Sequence, residues 1–478
     1  MKVLKGALGM GRGSRGSRDP GDAVRGLGDL LGDAVVAEEA GRRLFRGDGA
    51  LLNDEPPAAV VLPGDEGQLV EAARYCHAHG LPMVTRGGAT SLRGGAIGGA
   101  QSVVIATTRL NQIIDVNRRD RLVRAEAGAT LTALGAAAGR AGLRLPVAPK
   151  APSPATLGGA IAKNTQMEIG SLSGAIGGIV EGLRLVAANG EIVEIGAEVQ
   201  ACGGYDLAGL IAGSEGAFGI ISEATLRLMP AAPAVRLMIV RFSDEDAALA
   251  AAEALVQHRL VRGAVEVVGG RLWDGQSAGL GDWSGAESET FVLVEIEGFD
   301  EEVEAAAQAV ADVMRDGARG SIEETADDAV RRAVWALRET APARLARDGV
   351  AGVSDIVVPI GRIGEVSREM RQIASRHGLA CVALVKPARG GIESVFVATG
   401  TGEESSKKVQ GAIDEAVQLA GNVGGLAVGT LGAGALKAAS PGYGGLEPSA
   451  FSMQQRVKAV FDGEGVMNPD KVLAPIDD

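Results

Sequence analysis

Residues 84–96 read Val-Thr-Arg-Gly-Gly-Ala-Thr-Ser-Leu-Arg-Gly-Gly-Ala, a glycine-dense loop between two β-rich runs. Glycine opens backbone conformations closed to other residues and lets N–H groups come close to a ligand, so such a loop can wrap a pyrophosphate. In a chain with 71 glycines one loop of this kind is weak evidence. Its surroundings strengthen it. The apolar run Pro57–Pro63 and a helix-spaced stretch from Glu66 to His79 come first. Two further small-residue segments follow, Pro154–Ala162 and Gly213–Glu223.

Segments of these types in this order resemble the FAD-linked oxidases of the vanillyl-alcohol oxidase / p-cresol methylhydroxylase type. The likeness looks closest to the branch of glycolate oxidase FAD subunits and D-2-hydroxyacid (D-lactate) dehydrogenases, and it runs from about Leu31 to Leu473. Arg86–Gly95 matches the first pyrophosphate loop, and Pro154–Asn164 the second flavin-contacting segment. Gly182–Gly190 matches the strand and turn after it, Ser214–Ile221 the signature closing the flavin domain, and Asn468–Leu473 a C-terminal return strand. The resemblance implies cofactor contacts from Arg86, Gly87, Gly88, Ala89, Thr90 and Ser91 in the first loop. It implies others from Pro154, Thr156, Gly158, Gly159, Ala162, Asn164 and Gly174, then from Glu215, Gly216, Gly219, Ile220, Ile221 and Asn468. The implied fold is α+β, a two-subdomain FAD-binding domain of the p-cresol methylhydroxylase type plus an α+β cap domain with an antiparallel sheet. The implied activity is FAD-dependent dehydrogenation of a small 2-hydroxy acid or related anion, glycolate- or D-lactate-like, with electrons passed to a partner redox protein.

One part of the pattern is missing. The metal-using branch carries a His-x-Gly-Asp-Gly-Asn-x-x-His-like segment and a Gly-Glu-His-Gly segment. The matching stretches are Val385–Glu393 and Gly429–Gly432, so the histidines map to Lys386 and to Glu393 (or Ser394, one residue on). The Glu-His pair maps to Thr430 and Leu431. An ammonium group repels a divalent cation and a leucine abstracts no proton, so no transition metal is expected. An oxygen-only site from Glu393 and Asp355 would suit magnesium or calcium instead. Trp335–Glu339 matches a Trp-x-x-Arg segment whose arginine, here Arg338, holds the substrate carboxylate through its parallel donors. The competing reading pairs Arg338 with Glu339 or Asp355. Lys386 and Arg389 add positive charge, and a desolvated Lys386 could act as the base. No histidine lies in Arg86–Gly95 and no cysteine in Pro154–Asn164. The usual covalent attachments to FAD are therefore absent, and the cofactor should be noncovalent. Two alternatives stay open: a flavin electron-transfer subunit of a multi-subunit redox complex without its own hydroxy-acid site, and a non-catalytic FAD-binding scaffold.

Composition sets limits. A chain of 478 residues with 46% apolar residues can fill two cores. A net charge of −13 argues against a nucleic-acid partner. No apolar run is long enough to span a bilayer, and a cytoplasmic location is expected. Cys76, Cys202 and Cys381 are far apart, fewer than the roughly four thiolates an iron–sulfur cluster takes, and read as buried inert thiols. An iron–sulfur or other electron acceptor would have to be another protein, and the oligomeric state stays open. The four histidines, His77, His79, His258 and His377, fall on or at the ends of helical stretches and read as solvent-exposed.

The elements that must position these groups divide into four stretches. Residues 1–20 form a basic Gly/Ser tail, 21–230 the FAD-binding domain, 231–450 the cap, and 451–478 the return to the FAD domain. Asp22–Leu44 has helical spacing up to Gly47. Asn189-Gly190 before Ile192–Ile195 signals a hairpin. Met229–Pro233 reads as a linker. Beyond it, strands (235–242, 263–268, 291–296, 356–359, 382–385, 394–397) alternate with helices (243–258, 301–314, 363–377, 405–419), and a helix over 451–460 follows.

Overall fold

The computed structural model describes residues 20–48, 55–91, 93–147, 152–167, 174–198, 203–258, 260–270, 289–315, 317–318, 322–345, 350–400, 402–427 and 448–472. Cys202, Thr430, Leu431 and almost all of the basic tail lie outside them. Among the described residues no helix is long and apolar enough to cross a membrane.

The first layer is a four-stranded sheet in the order 35–36, 59–61, 103–106, 83–86, parallel except at its first pair. The helix Glu66–Ala78 begins where the Asp65 carboxylate accepts from the Gln68 N–H, 2.9 Å. It packs Leu69, Ala72 and Cys76 onto that sheet. A five-stranded antiparallel sheet follows in the order 113–117, 122–126, 220–227, 180–186, 192–196. The last two strands form the expected hairpin, with Val186 opposite Ile192.

Three local expectations need correction. The helical stretch from Asp22 is broken. It ends at Leu31, because Gly32 turns left-handed (φ +54°), and separate pieces follow at Val35–Val36 and Glu39–Arg42. Met229–Pro230 is no free linker but pairs with Leu143–Arg144. Asn468 joins the first sheet only as an extension of one bridge, Met83 to Met467. Asn468, Asp470 and Val472 all have positive φ, so the end of the described chain is looped rather than a strand.

The cap is one seven-stranded antiparallel sheet in the order 323–325, 234–242, 290–298, 265–269, 380–386, 391–398, 350–357. Successive residues of a strand face opposite ways, and here the two faces have different partners. Val240, Val267, Val292, Val385, Ile392 and Ile356 pack under the helices Glu245–Gln257, Asp300–Met314, Ile363–Arg376 and Glu403–Asn422. The opposite face carries Leu237, Val268, Leu293, Leu384 and Val395 against Trp335 and Ala341 of the helix Asp328–Leu345. By the same alternation Glu266, Asp355, Lys386 and Glu393 belong to this second, inner face. The strand expected at 356–359 runs instead over Val350–Val357. The C-terminal helix Pro448–Phe461 lies against the flavin-side domain: Phe461 stacks on Phe218 (4.6 Å), and Lys458 Nζ donates to Ala217 O at 2.6 Å.

Candidate active site

The three small-residue segments converge on one cleft enclosing about 350 Å³. The first loop lines it from Arg86 through Ser91, the second with Thr156, Gly158, Gly159 and Ala162, and the third with Glu215, Gly216, Gly219, Ile220 and Ile221. The first two are pressed together so tightly that a Cβ on Gly88 would fall 1.8 Å from the Pro154 carbonyl oxygen. No residue but glycine fits there. The N–H groups of Gly88, Ala89 and Thr90 make no hydrogen bond to another described residue, so they are available to ligand oxygens. Exposed backbone donors on a narrow small-residue floor suit the pyrophosphate of a dinucleotide.

Four of the nineteen expected cofactor contacts do not line this cleft. Pro154 borders an adjoining depression with Phe45 and Gly88. Asn164 ends the helix Leu157–Lys163 in a left-handed turn and accepts from Gly177 N–H at 3.0 Å. Gly174 accepts from Met167 N–H through its carbonyl. Asn468 is a brace: its N–H donates to Met83 O (2.7 Å), its Oδ1 accepts from Thr85 N–H (2.8 Å), and its Nδ2 donates to Glu215 O. It ties the strand before the first loop to the third segment. Arg86 spends one guanidinium nitrogen on Gly47 O at 2.6 Å and lies 5.4 Å over the Phe45 ring. The cleft adds residues that spacing did not point to, including Thr85, Lys163, Gln166 and, from the cap, Glu339. Lys163 follows Ala162 on the same short helix; for Glu339, which comes from another domain, no local signal exists.

The cap brings a buried charged cluster to this place. Arg338 is not paired with Glu339 or Asp355 as its competing reading had it. Its Nε and Nη2 donate to the two oxygens of Glu266, the second at 3.0 Å, with both side chains nearly shut from solvent. Arg331, Trp335 and Arg338 share one helix face, and Trp335 Nε1 donates to Glu295 at 2.8 Å while Arg331 approaches the same carboxylate. Asp355 and Glu393 stand directly opposite on neighbouring strands, both buried. Burial pushes the Glu393 carboxyl above its ordinary range; Lys386 and Arg338 pull it back, and Asp355 adds to the rise. Burial lowers the Lys163 ammonium, opposed by Asp355, Glu215 and Glu393. Lys163 therefore lies within electrostatic reach of cap and flavin-side acids alike. Arg389 reaches Gln166 across the same boundary at 3.4 Å.

Among the described residues no cluster of three or more histidine, cysteine or acidic side chains could hold a metal ion. Three of the four histidines are part-buried rather than exposed. His79 stacks on Tyr75 (4.0 Å), His377 contacts Glu415 (3.0 Å), and His77 keeps a buried Nδ1. Burial pushes the Cys76 and Cys381 thiols up to about 12, in keeping with inert thiols.

Comparison with known proteins agrees with this architecture. Residues 57–196 match the family model described as FAD binding domain, and residues 231–472 match FAD linked oxidases, C-terminal domain. The chain is 28% identical to a D-lactate dehydrogenase of Archaeoglobus fulgidus over 420 residues, covering 87% of this chain and 91% of that protein. It is 24% identical to the glycolate oxidase subunit GlcD of Bacillus subtilis, covering 91% and 93%. A p-cresol methylhydroxylase structure with substrate bound superposes with a TM-score of 0.78 at 16% identity, over 97% of this chain and 99% of that one, which shows the fold. The cleft's small-residue loops, the two-faced cap sheet and both matches lead to one assignment: the chain belongs to the FAD-linked oxidases, and its cofactor is FAD.

Proposed function

We propose that this protein dehydrogenates a small 2-hydroxy acid or related anion, of the glycolate or D-lactate kind, with noncovalent FAD, and hands the electrons to a partner redox protein. The observation that carries the reading is the inner face of the cap sheet. It gathers Lys386, Asp355 and Glu393 within electrostatic reach of Lys163, a residue of the flavin cleft itself. Buried cations beside a flavin cleft favour an anionic substrate. Relatives named D-lactate dehydrogenase, glycolate oxidase subunit and, from Xanthomonas citri, D-2-hydroxyglutarate dehydrogenase (33% identical over 61% of this chain and 62% of that protein) support the same class.

FAD supplies the hydride acceptor when bound, at flavin N5. The chain's own groups bind and orient. Arg86 fastens the first loop, Asn468 braces it against the third segment, and the free N–H groups of Gly88 to Thr90 meet the phosphates. Lys386 sits on the inner face beside Glu393, where it can hold or take the proton of the substrate hydroxyl. Arg338, gripped by Glu266, keeps the helix Asp328–Leu345 on the sheet.

Anaerobic mixing with a panel of D- and L-2-hydroxy acids tests the proposal, with bleaching of the flavin absorbance expected for at least one short D-acid or glycolate. A flavin that no acid bleaches, but that exchanges electrons with a co-purifying redox protein, would favour the electron-transfer subunit. The relative named as a subunit of glycolate oxidase gives that second reading its support.

A further inference from the structure

We propose that Arg93, at the end of the first flavin loop, is the residue that grips the substrate's carboxylate. This rests on the hydroxy-acid reading above and names the anchor within it. Arg93 is 2% exposed, and its Nε and Nη2 are shut from solvent without a hydrogen-bond partner. Arg144, Arg331 and Arg371 also keep one buried nitrogen without a hydrogen bond, but each forms an ion pair through another nitrogen, Arg371 through Nη2 to Asp246. The Arg93 side chain makes no hydrogen bond to any described residue. A buried guanidinium with idle donors is costly, and native proteins keep such a group chiefly where a ligand completes it.

Its position is fixed and its surroundings select the ligand. The Arg93 N–H donates to Ser91 Oγ at 3.2 Å, and the next N–H, of Gly94, donates to Asp48 at 2.6 Å, so the loop is held on both sides. The carboxylates of Asp355 and Glu393 from the cap and of Glu215 from the cleft act on Arg93 through space. The same three acids also act on Lys163, which places Arg93 at the meeting of flavin loops and cap. A carboxylate suits this guanidinium, taking both idle donors side by side in the planar geometry that an arginine offers.

The test uses the FAD-loaded full chain with Arg93→Met and Arg93→Lys, and oxalate as a carboxylate that has no C–H bond to lose. Oxalate is titrated against the absorbance of bound flavin, and flavin content and the thermal midpoint are measured alongside. Arg93→Met should keep its flavin, melt no lower than the parent, and bind oxalate about thirtyfold or more weakly, with part of the loss restored in Arg93→Lys. For an acid that bleaches the parent, KM should rise more than kcat falls. Unchanged oxalate affinity in Arg93→Met overturns the proposal, as does a parent that binds no oxalate. Loss of flavin in Arg93→Met overturns it too, by making Arg93 a cofactor contact. A parent that binds oxalate through Arg93 but is reduced by no acid keeps the anchor and removes the dehydrogenase reading.

Discussion

Replacing Arg338 by methionine takes the guanidinium away from Glu266, a carboxylate 5% exposed that lies opposite Leu293 in the cap sheet. Two charge-assisted hydrogen bonds vanish while the charge they answered stays buried. Removing one member of a buried pair costs about 3–5 kcal/mol. For a folding unit of the cap's size that lowers the melting midpoint by roughly 6–20 °C. The double variant Arg338→Met/Glu266→Leu removes both charges and fills the site with apolar volume, so it should lie within about 1–2 kcal/mol of the parent. The double-mutant cycle then shows a coupling of about 2 kcal/mol or more. Urea unfolding of the FAD-loaded chain gives the four stabilities, with flavin content as the check that the flavin-side domain is intact. Additivity within about 0.5 kcal/mol, together with an undisturbed Arg338→Met midpoint, would refute the reasoning. Arg338 would then be unencumbered in solution, and the carboxylate role that the Trp-x-x-Arg resemblance suggests would return to it.

Denaturing the purified protein should release all of its yellow colour into the supernatant, since the segments at the cleft offer no histidine in Arg86–Gly95 and no cysteine in Pro154–Asn164; colour on the precipitate would show a covalent link. Elemental analysis after mild chelation should find no stoichiometric zinc, iron or manganese, because the Lys386 ammonium shares the inner face with the only paired acids there, Asp355 and Glu393, among the described residues. Burial lowers the Lys471 ammonium from 10.5 to about 8. Between those values the unfolded chain holds more protons than the folded one, so stability rises with pH there and the penalty is constant below about 8. The parent should gain on Lys471→Met by up to about 3 kcal/mol between pH 8 and 10.5, and a flat difference in melting midpoint would contradict it.

Much of this was legible in the sequence for physical reasons. Strands such as Phe291–Ile296 announce themselves by a short run rich in β-branched and aromatic residues, and helices such as the one expected over Glu66–His79 by helical spacing. The flavin loops are short and self-contained, so their glycines carry the signal by themselves. Asn468 was misread as part of a strand because its work lies in contacts to Thr85 and Glu215, hundreds of residues away in the chain. The partner of Arg338 was missed for the same reason. Glu266 lies 72 residues upstream, on a strand whose neighbour only the sheet order reveals, while Glu339 and Asp355 merely lie nearer in sequence. Arg93 was hidden in another way. An arginine in a glycine loop looks solvated on paper, and only packing shows that it is 2% exposed.

The charged inner face ties these points together. Period-two alternation assigns Asp355, Lys386 and Glu393 to one side once Ile356, Val385 and Ile392 are assigned to the other, so their shared face follows from the strand pattern. What they do there depends on what they meet. A bound metal would bring two positive charges and polarise a hydroxyl directly. Fixed cations attract a carboxylate without polarising the hydroxyl to the same degree. If Arg93, Lys163 and Lys386 are the positive charge the acid meets, removal of the hydroxyl proton falls to a side chain. Replacing Lys386 by methionine should then lower the rate of flavin reduction by an acid substrate while leaving flavin content unchanged. An unchanged rate would show that another group of the inner face, such as Glu393, takes the proton.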